Sequence, residues 1–170
     1  MKRTILLASV ILINLIVIFS CRPAKLTDPR TSTSYDYEVA FIRTGVAGTE
    51  LFKVFSYGRN ERECIEASKL NAIKAILFKG IPGSGMQRPM ISEAGAEEKY
   101  KEYFNEFFKS GGQYLNFVAL STDGSIDSRD RIKVQNGKLL KIGIVVSVQK
   151  DNLRKRLQDD KIIKSLSSGF

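Results

Sequence analysis

The chain has 170 residues and a formal net charge of +9, with 43% hydrophobic residues and no His or Trp. This length is enough for one domain with a buried core. Because His is the usual general base and the commonest transition-metal ligand, its absence excludes Ser-His-Asp, Cys-His and zinc-hydrolase mechanisms. The positive charge favours anionic partners such as lipid headgroups, glycans or acidic protein surfaces.

Residues 1–20 predict a secretory signal peptide. Lys2 and Arg3 form a short cationic start, and a mainly apolar run extends from Ile5 to Phe19. This run is somewhat shorter than the roughly 20 residues that a membrane-spanning helix needs. A transmembrane anchor is the second interpretation of this segment, and an ordinary signal peptide before a chance Cys is the third.

The residues Ile18, Phe19, Ser20 and Cys21 resemble the lipobox of bacterial lipoproteins. The resemblance implies that the Cys21 sulfur carries diacylglycerol, that cleavage follows Ser20 and that the new amino terminus is acylated. Several acyl chains hold a protein on a bilayer far longer than one chain does. We therefore expect a lipid-anchored protein of the cell envelope, at the outer membrane and facing the periplasm, with no nucleic-acid partner.

Residues 21–34 predict a flexible tether, because Pro23, Pro29 and a run of Thr and Ser bury too little apolar area to fold. A flexible segment of this length reaches about 20 Å. Residues 35–170 then form one predicted domain.

Two segments with a period of two open this domain, Tyr37–Arg43 and Leu51–Tyr57, and they predict a β-hairpin. Asn60 is the predicted N-cap of a helix that stops at Gly80. The face of this helix that is expected to contact the sheet contains Ile65, Ser68, Ala72, Ile73 and Ile76.

Residues 79–95 predict a long loop that is rich in Gly and Pro. Ordered loops longer than about 12–15 residues are often functional. We predict a docking surface formed by Met86, Arg88, Met90 and Ile91, and the alternative is a plain connection. The glycine-rich start of the loop is not a phosphate loop, since it follows a helix and lacks the Gly-Lys-Ser/Thr ending.

An aromatic stripe predicts a second helix from Ala96 to Ser110, with core packing as the role of its rings. The stripe consists of Tyr100, Tyr103, Phe104, Phe107 and Phe108. A short strand is predicted over Tyr114–Leu120.

The clearest local signal is Asn136-Gly137 between two alternating segments, Arg131–Gln135 and Lys138–Gln149. This pattern is typical of a hairpin with a two-residue type I′ turn. Asp151 is the predicted cap of a last helix, on which three basic side chains point outward: Arg154, Lys155 and Arg156. The whole order predicts the α+β class, an antiparallel sheet of two hairpins with two or three helices packed on one face.

The remaining polar clusters do not indicate catalysis. Asp123, Asp127 and Asp130 lack the alternate spacing of an EF-hand loop, so a solvated turn is expected. Cys64 lies in the first helix and is expected to be a buried apolar side chain, with a reactive thiol or an intermolecular bridge as alternatives. We predict no catalytic residue, no metal and no cofactor.

A wider resemblance covers Thr49 to Gly80 and the hairpin from Arg131 to Gln149. The strand Phe52–Gly58, followed by a helix with Ala67, Ala72 and Ala75, is similar to the Lpp20-like and flagellar assembly protein T N-terminal lipoprotein families. The resemblance implies a small α/β domain on an envelope lipoprotein that has a structural or accessory role, without catalytic residues.

Two functions therefore follow from the sequence. The first is a non-enzymatic lipoprotein that serves as an accessory subunit of an envelope assembly, such as a secretion or motility apparatus. The second is a lipoprotein that binds an anionic glycan or lipid. A cleft where Arg88 meets other cations would favour ligand binding, whereas a flat exposed apolar patch near Met86, Met90 and Ile91 would favour docking.

The anchor yields the first testable prediction. Because the Cys21 thiol must receive the lipid, Cys21→Ser should abolish acylation and leave the precursor uncleaved after Ser20. Labelling cells with an alkyne fatty acid measures this, and the same label on wild type and variant would contradict the anchor.

Overall fold

Residues 37–121, 126–135 and 137–164 are described by a computed structural model of the chain. The predicted signal peptide and tether, together with Cys21, Asp123 and Asn136, lie outside these residues. Within the described ranges no helix is long and apolar enough to cross a membrane.

A five-stranded antiparallel sheet forms the centre of the domain and confirms the predicted α+β class. Its strands are β1 Glu38–Thr44, β2 Thr49–Gly58, β3 Val118–Leu120, β4 Arg131–Val134 and β5 Leu139–Gln149. β2 pairs with β1 on one side and with β5 on the other, and β3 and β4 both pair with the far side of β5. Both predicted hairpins, β1–β2 and β4–β5, are therefore present.

The core lies against one face of this sheet. Successive side chains of a strand point to opposite faces. On the buried face, Phe52 and Val54 of β2 and Ile142 and Val146 of β5 have no exposed surface. Burying one such side chain contributes about 1.5–3 kcal/mol to folding, so this face anchors the domain.

The first helix, α1 (Glu61–Lys74), packs on the buried face. Asn60 caps it as predicted, because the Asn60 side chain accepts a hydrogen bond from the Glu63 N–H at 2.9 Å. The Ser68 hydroxyl donates to the Val54 carbonyl at 3.4 Å and ties the middle of the helix to β2.

The predicted second helix is interrupted at Tyr100, which separates α2 (Ala96–Lys99) from α3 (Lys101–Phe108). The Phe104 N–H still donates to the Tyr100 carbonyl at 3.0 Å, so the i, i+4 spacing continues across the break. Apolar periodicity cannot reveal a single distorted residue that keeps this spacing. The predicted burial of the stripe is confirmed at its centre, where Phe104 and Phe107 are 3% and 2% exposed.

The strand predicted over Tyr114–Leu120 is wrong in its first half. Gln113–Phe117 form a 3₁₀ helix, and only Val118–Leu120 form a strand. Residues three apart lie on the same side of a 3₁₀ helix. Tyr114 and Phe117 therefore both contact aromatic rings of α3, with centroid separations of 6.0 and 6.2 Å.

The turn between β4 and β5 is also longer than predicted. Val134 is paired with Leu139, so four residues connect the strands instead of two. Positive φ angles occur at Gln135 and Gly137. The Asn-Gly pattern located the turn correctly but gave the wrong loop length.

The last helix, α4 (Lys150–Asp159), is not capped by Asp151 as predicted. The helix begins one residue before Asp151, and its cap position has no side-chain hydrogen bond. Asp151 instead lies against the β1–β2 turn, where a Cβ on Gly48 would stand 2.1 Å from the Asp151 Oδ2. Leu153 and Leu157 are fully buried and hold α4 on the core.

The long loop after α1 is tied to the core by its backbone. α1 continues into one π-helical turn, Ala75–Lys79. Carbonyls at a helix end lack partners within the helix. Here the carbonyls of Ile76 and Leu77 accept hydrogen bonds from the N–H groups of Met90 and Ile91, at 2.9 and 3.0 Å. The loop therefore returns across the end of the helix.

Gly80 makes this return possible. Its φ of 77° and ψ of 161° are almost restricted to glycine, and a Cβ there would stand 2.4 Å from the Gln87 carbonyl oxygen. We expect Gly80→Ala to lower the free energy of unfolding by about 2–4 kcal/mol, since it adds a steric clash to backbone strain. Urea denaturation measures the loss.

Gly83→Ala is the matched control for this variant. Gly83 also has a positive φ, 79°, but an added Cβ would have no atom within 4 Å. Only the cost of strain, about 1–2 kcal/mol, is expected. Equal losses in the two variants would contradict the close approach of the Gln87 backbone to Gly80.

Candidate functional site

The expectation that Met86, Met90 and Ile91 form an exposed contact surface is wrong. Their side chains are 5%, 7% and 6% exposed and belong to the hydrophobic core. Met90 and Ile91 are held on the helix end by their own N–H groups, and the Met86 carbonyl accepts a hydrogen bond from the Ile81 N–H at 2.7 Å. Arg88 is the one member of the predicted set that is exposed.

A shallow cleft lies between this loop and α4. Its volume is about 430 Å³, and it is lined by residues 84–89 of the loop and by Arg154 of α4. The Ser84 hydroxyl shapes the loop, since it donates to the Ile81 carbonyl at 2.8 Å and accepts from the Met86 N–H at 2.9 Å. The loop wall of the cleft is therefore held by internal hydrogen bonds.

Two arginines from separate parts of the chain line this cleft, Arg88 and Arg154. Within the described residues, neither has a carboxylate oxygen within 4.0 Å. Arg156, which is on α4 like Arg154, does have a carboxylate partner, since its Nε pairs with Asp160 at 2.7 Å. A guanidinium group presents a planar set of donors that matches carboxylate and phosphate groups. The cleft is therefore suited to an anion.

A buried ion pair lies next to the cleft. Glu50 of β2 is 1% exposed, and its Oε1 accepts a hydrogen bond from the Lys150 Nζ at 3.0 Å. The other oxygen, Oε2, is buried and has no hydrogen-bond partner among the residues that the structure describes. A Cβ on Gly85 would stand 3.2 Å from the Glu50 Oε1 and 3.9 Å from the Lys150 Nζ. The pair thus lies beside the Gly85 backbone, which lines the cleft.

The sequence contained signals for part of this site. Glu50, Phe52 and Val54 are alternate residues of β2 and therefore point to the same face of the sheet. The alternation in the sequence thus already places a carboxylate on the buried face. Lys150 and Arg154 are four residues apart and therefore adjacent on a helix. Their proximity to the loop could not be inferred, because it depends on how the loop returns to α1.

Cys64 does not form part of a site. Its side chain has no exposed surface, as expected for a buried apolar residue. Burial, followed by the negative charges of Glu63 and Glu61, raises the pKa of the Cys64 thiol to about 11. The thiol is therefore protonated at neutral pH and is a poor nucleophile.

The acidic turn before β4 is occupied by ion pairs. Asp127 accepts hydrogen bonds from the side chain and backbone N–H of Arg129, which hold the pKa of Asp127 well below its usual value. Asp130 pairs with Lys53 at 2.6 Å. No group of three or more acidic or Cys side chains in the described ranges is placed to hold a metal ion.

The face of the sheet opposite α1 has a second cluster of aromatic and basic side chains. The Phe55 ring lies across Gly143, where a Cβ would stand 2.6 Å from its Cε1. The ammonium groups of Lys53 and Lys141 lie 5.9 and 5.3 Å from the centre of this ring. Ile132 of β4 is 45% exposed on the same face.

No protein-family model, curated protein or solved structure matches this chain. The resemblance to envelope lipoprotein families therefore stays a prediction from the sequence.

Proposed function

We propose that this chain is a non-enzymatic lipoprotein of the cell envelope, anchored through Cys21, whose folded domain binds an anionic glycan or lipid in the cleft between the loop and α4. The observation that carries the proposal is that Arg88 and Arg154, two arginines without carboxylate partners in the described residues, line one cleft. A cleft where Arg88 meets another cation favours ligand binding over the docking of a protein partner. The alternative feature, an exposed apolar patch at Met86, Met90 and Ile91, is contradicted by their burial.

The charges of the site support this proposal. Two arginines that line one cleft, and that have no carboxylate partner among the described residues, can both donate hydrogen bonds to one bound anion. Each charge-assisted hydrogen bond to a carboxylate or phosphate contributes about 1.5–3 kcal/mol. The predicted tether of about 20 Å would keep the cleft within reach of headgroups and surface glycans.

An accessory role in an envelope assembly is the second candidate. The observation that favours it is the sheet face opposite α1, where Phe55 is flanked by Lys53 and Lys141 and where Ile132 is exposed. Substitutions in the cleft leave this face unchanged. Crosslinking from membranes with a cleft variant therefore separates the two candidates.

The test of the proposed function is the double variant Arg88→Gln/Arg154→Gln. We expect wild type to bind at least one of three soluble probes: methyl phosphate, short-chain phosphatidylglycerol or an oligogalacturonate. The double variant should bind that probe at least about a hundredfold more weakly, since it loses two charge-assisted contacts. Isothermal titration calorimetry of the full chain in neutral detergent measures the affinities.

Lys155→Gln is the matched control, because Lys155 is an exposed cation on the same helix and does not line the cleft. It removes one positive charge and should change the affinity by less than about threefold at physiological ionic strength. Absence of binding to all three probes, or equal binding by wild type and the double variant, would refute the proposal.

A further inference from the structure

Lys150 places a third cation beside the cleft. Its Nζ lies 3.9 Å from the point where a Cβ on Gly85 would stand, and Gly85 lines the cleft. The Lys150 side chain is 24% exposed, whereas that of its partner Glu50 is 2% exposed. Lys150 does not itself line the cleft, but Gly85, which does, has no side chain to fill the space toward Lys150. Lys150 is also one helical turn from Arg154 and therefore on the same side of α4.

The buried carboxylate of Glu50 fixes the position of this ammonium group. An ammonium group has three N–H donors, and Glu50 is the one hydrogen-bond acceptor of Lys150 among the described side chains. Burial of a carboxylate costs several kcal/mol unless it is well paired. Glu50 has an unpartnered Oε2, so its pairing with Lys150 is the contact that compensates for its burial. The hydrogen bond from Lys150 to Glu50 therefore holds the Lys150 ammonium group next to Gly85.

The charges of these groups select a class of anion. Arg88, Arg154 and Lys150 supply three positive charges against one negative charge from Glu50, so positive charge exceeds negative charge by two. A phosphomonoester has a charge of about −1.5 to −2 at pH 7 and three oxygens free to accept hydrogen bonds. A carboxylate or a phosphodiester has a single negative charge and two such oxygens. We propose that the cleft binds a phosphomonoester, with Lys150 as its third cation and Glu50 as the residue that positions Lys150.

This inference rests on the proposed function, because it assigns a ligand class to the same cleft. Its test compares methyl phosphate, a monoester, with dimethyl phosphate, a diester, by calorimetry of the full chain in neutral detergent. Wild type should bind the monoester at least about tenfold more tightly. Short-chain phosphatidic acid identifies the source of the group: tighter binding than methyl phosphate indicates a lipid headgroup, and equal binding indicates a soluble phosphomonoester.

The decisive variant is Glu50→Gln/Lys150→Met. It removes one negative and one positive charge together, so the net charge of the site is unchanged and no buried charge is left unpaired. Loss of the preference for the monoester in this variant would therefore identify direct contact with Lys150 instead of a general effect of charge. Gly85→Ala is a second variant, since its Cβ would stand 3.2 Å from the Glu50 Oε1 and 3.9 Å from the Lys150 Nζ and would crowd the pair. It should also remove the preference.

Several outcomes distinguish this inference from the proposed function. Binding of both esters with equal affinity, or a preference that persists in both Lys150-directed variants, would overturn the phosphomonoester assignment and leave the anion cleft intact. Binding of no anionic probe by wild type would overturn both. A preference that is lost in these variants and kept in Lys155→Gln supports the assignment. Thermal melts of each variant check folding. If Glu50→Gln/Lys150→Met does not fold, the ester preference of Gly85→Ala tests the assignment instead.

Discussion

The hydrogen bonds from the backbone of Met90 and Ile91 to the π-helical turn that follows α1 determine how the loop and the cleft are arranged. They satisfy carbonyls that a helix end leaves open, at 2.9 and 3.0 Å. By doing so they fold the loop back onto the core and bury three of its apolar side chains. The same return places Arg88 opposite α4. The cleft that we propose as an anion site therefore depends on how one helix ends.

Glu50 and Lys150 illustrate a different constraint, the burial of charge. Replacing a buried ion pair by apolar residues is often neutral or stabilising, so such a pair is weak evidence for stability. In this domain the pair lies at the edge of the core, with Glu50 1% exposed and Lys150 still partly accessible. Because Glu50 is buried and Lys150 is partly accessible, the carboxylate can hold the ammonium group in place near the surface. The phosphomonoester proposal requires a cation at this position.

Local patterns in the sequence were sufficient for the elements whose stability is local. The β1–β2 alternation, the Asn60 cap and the second hairpin follow from spacing and turn chemistry, and all three are present. The errors occurred where tertiary contacts override local preference. Gln113–Phe117 form a 3₁₀ helix from which two rings contact α3, and Asp151 contacts the β1–β2 turn in place of capping α4.

The candidate site was predictable only in fragments. The sequence predicts Arg88 on the docking loop and Arg154 on the outward face of the last helix, but no periodicity relates a loop to a helix more than 60 residues later. The burial of Met86, Met90 and Ile91 was missed for the same reason, since a Gly- and Pro-rich segment does not show which residues its backbone will contact. Glu50 had a readable signal, a carboxylate at a core-facing position of a strand.

Residue-resolved native-state hydrogen exchange tests this account most directly, because it measures whether the loop is bonded to the helix end. The account predicts that the Met90 and Ile91 amides exchange as slowly as the Val146 amide in the central strand β5, which opens only when the core unfolds. Exchange of the Met90 and Ile91 amides as fast as that of the exposed Ser92 amide would contradict it, and the cleft would lose its fixed wall.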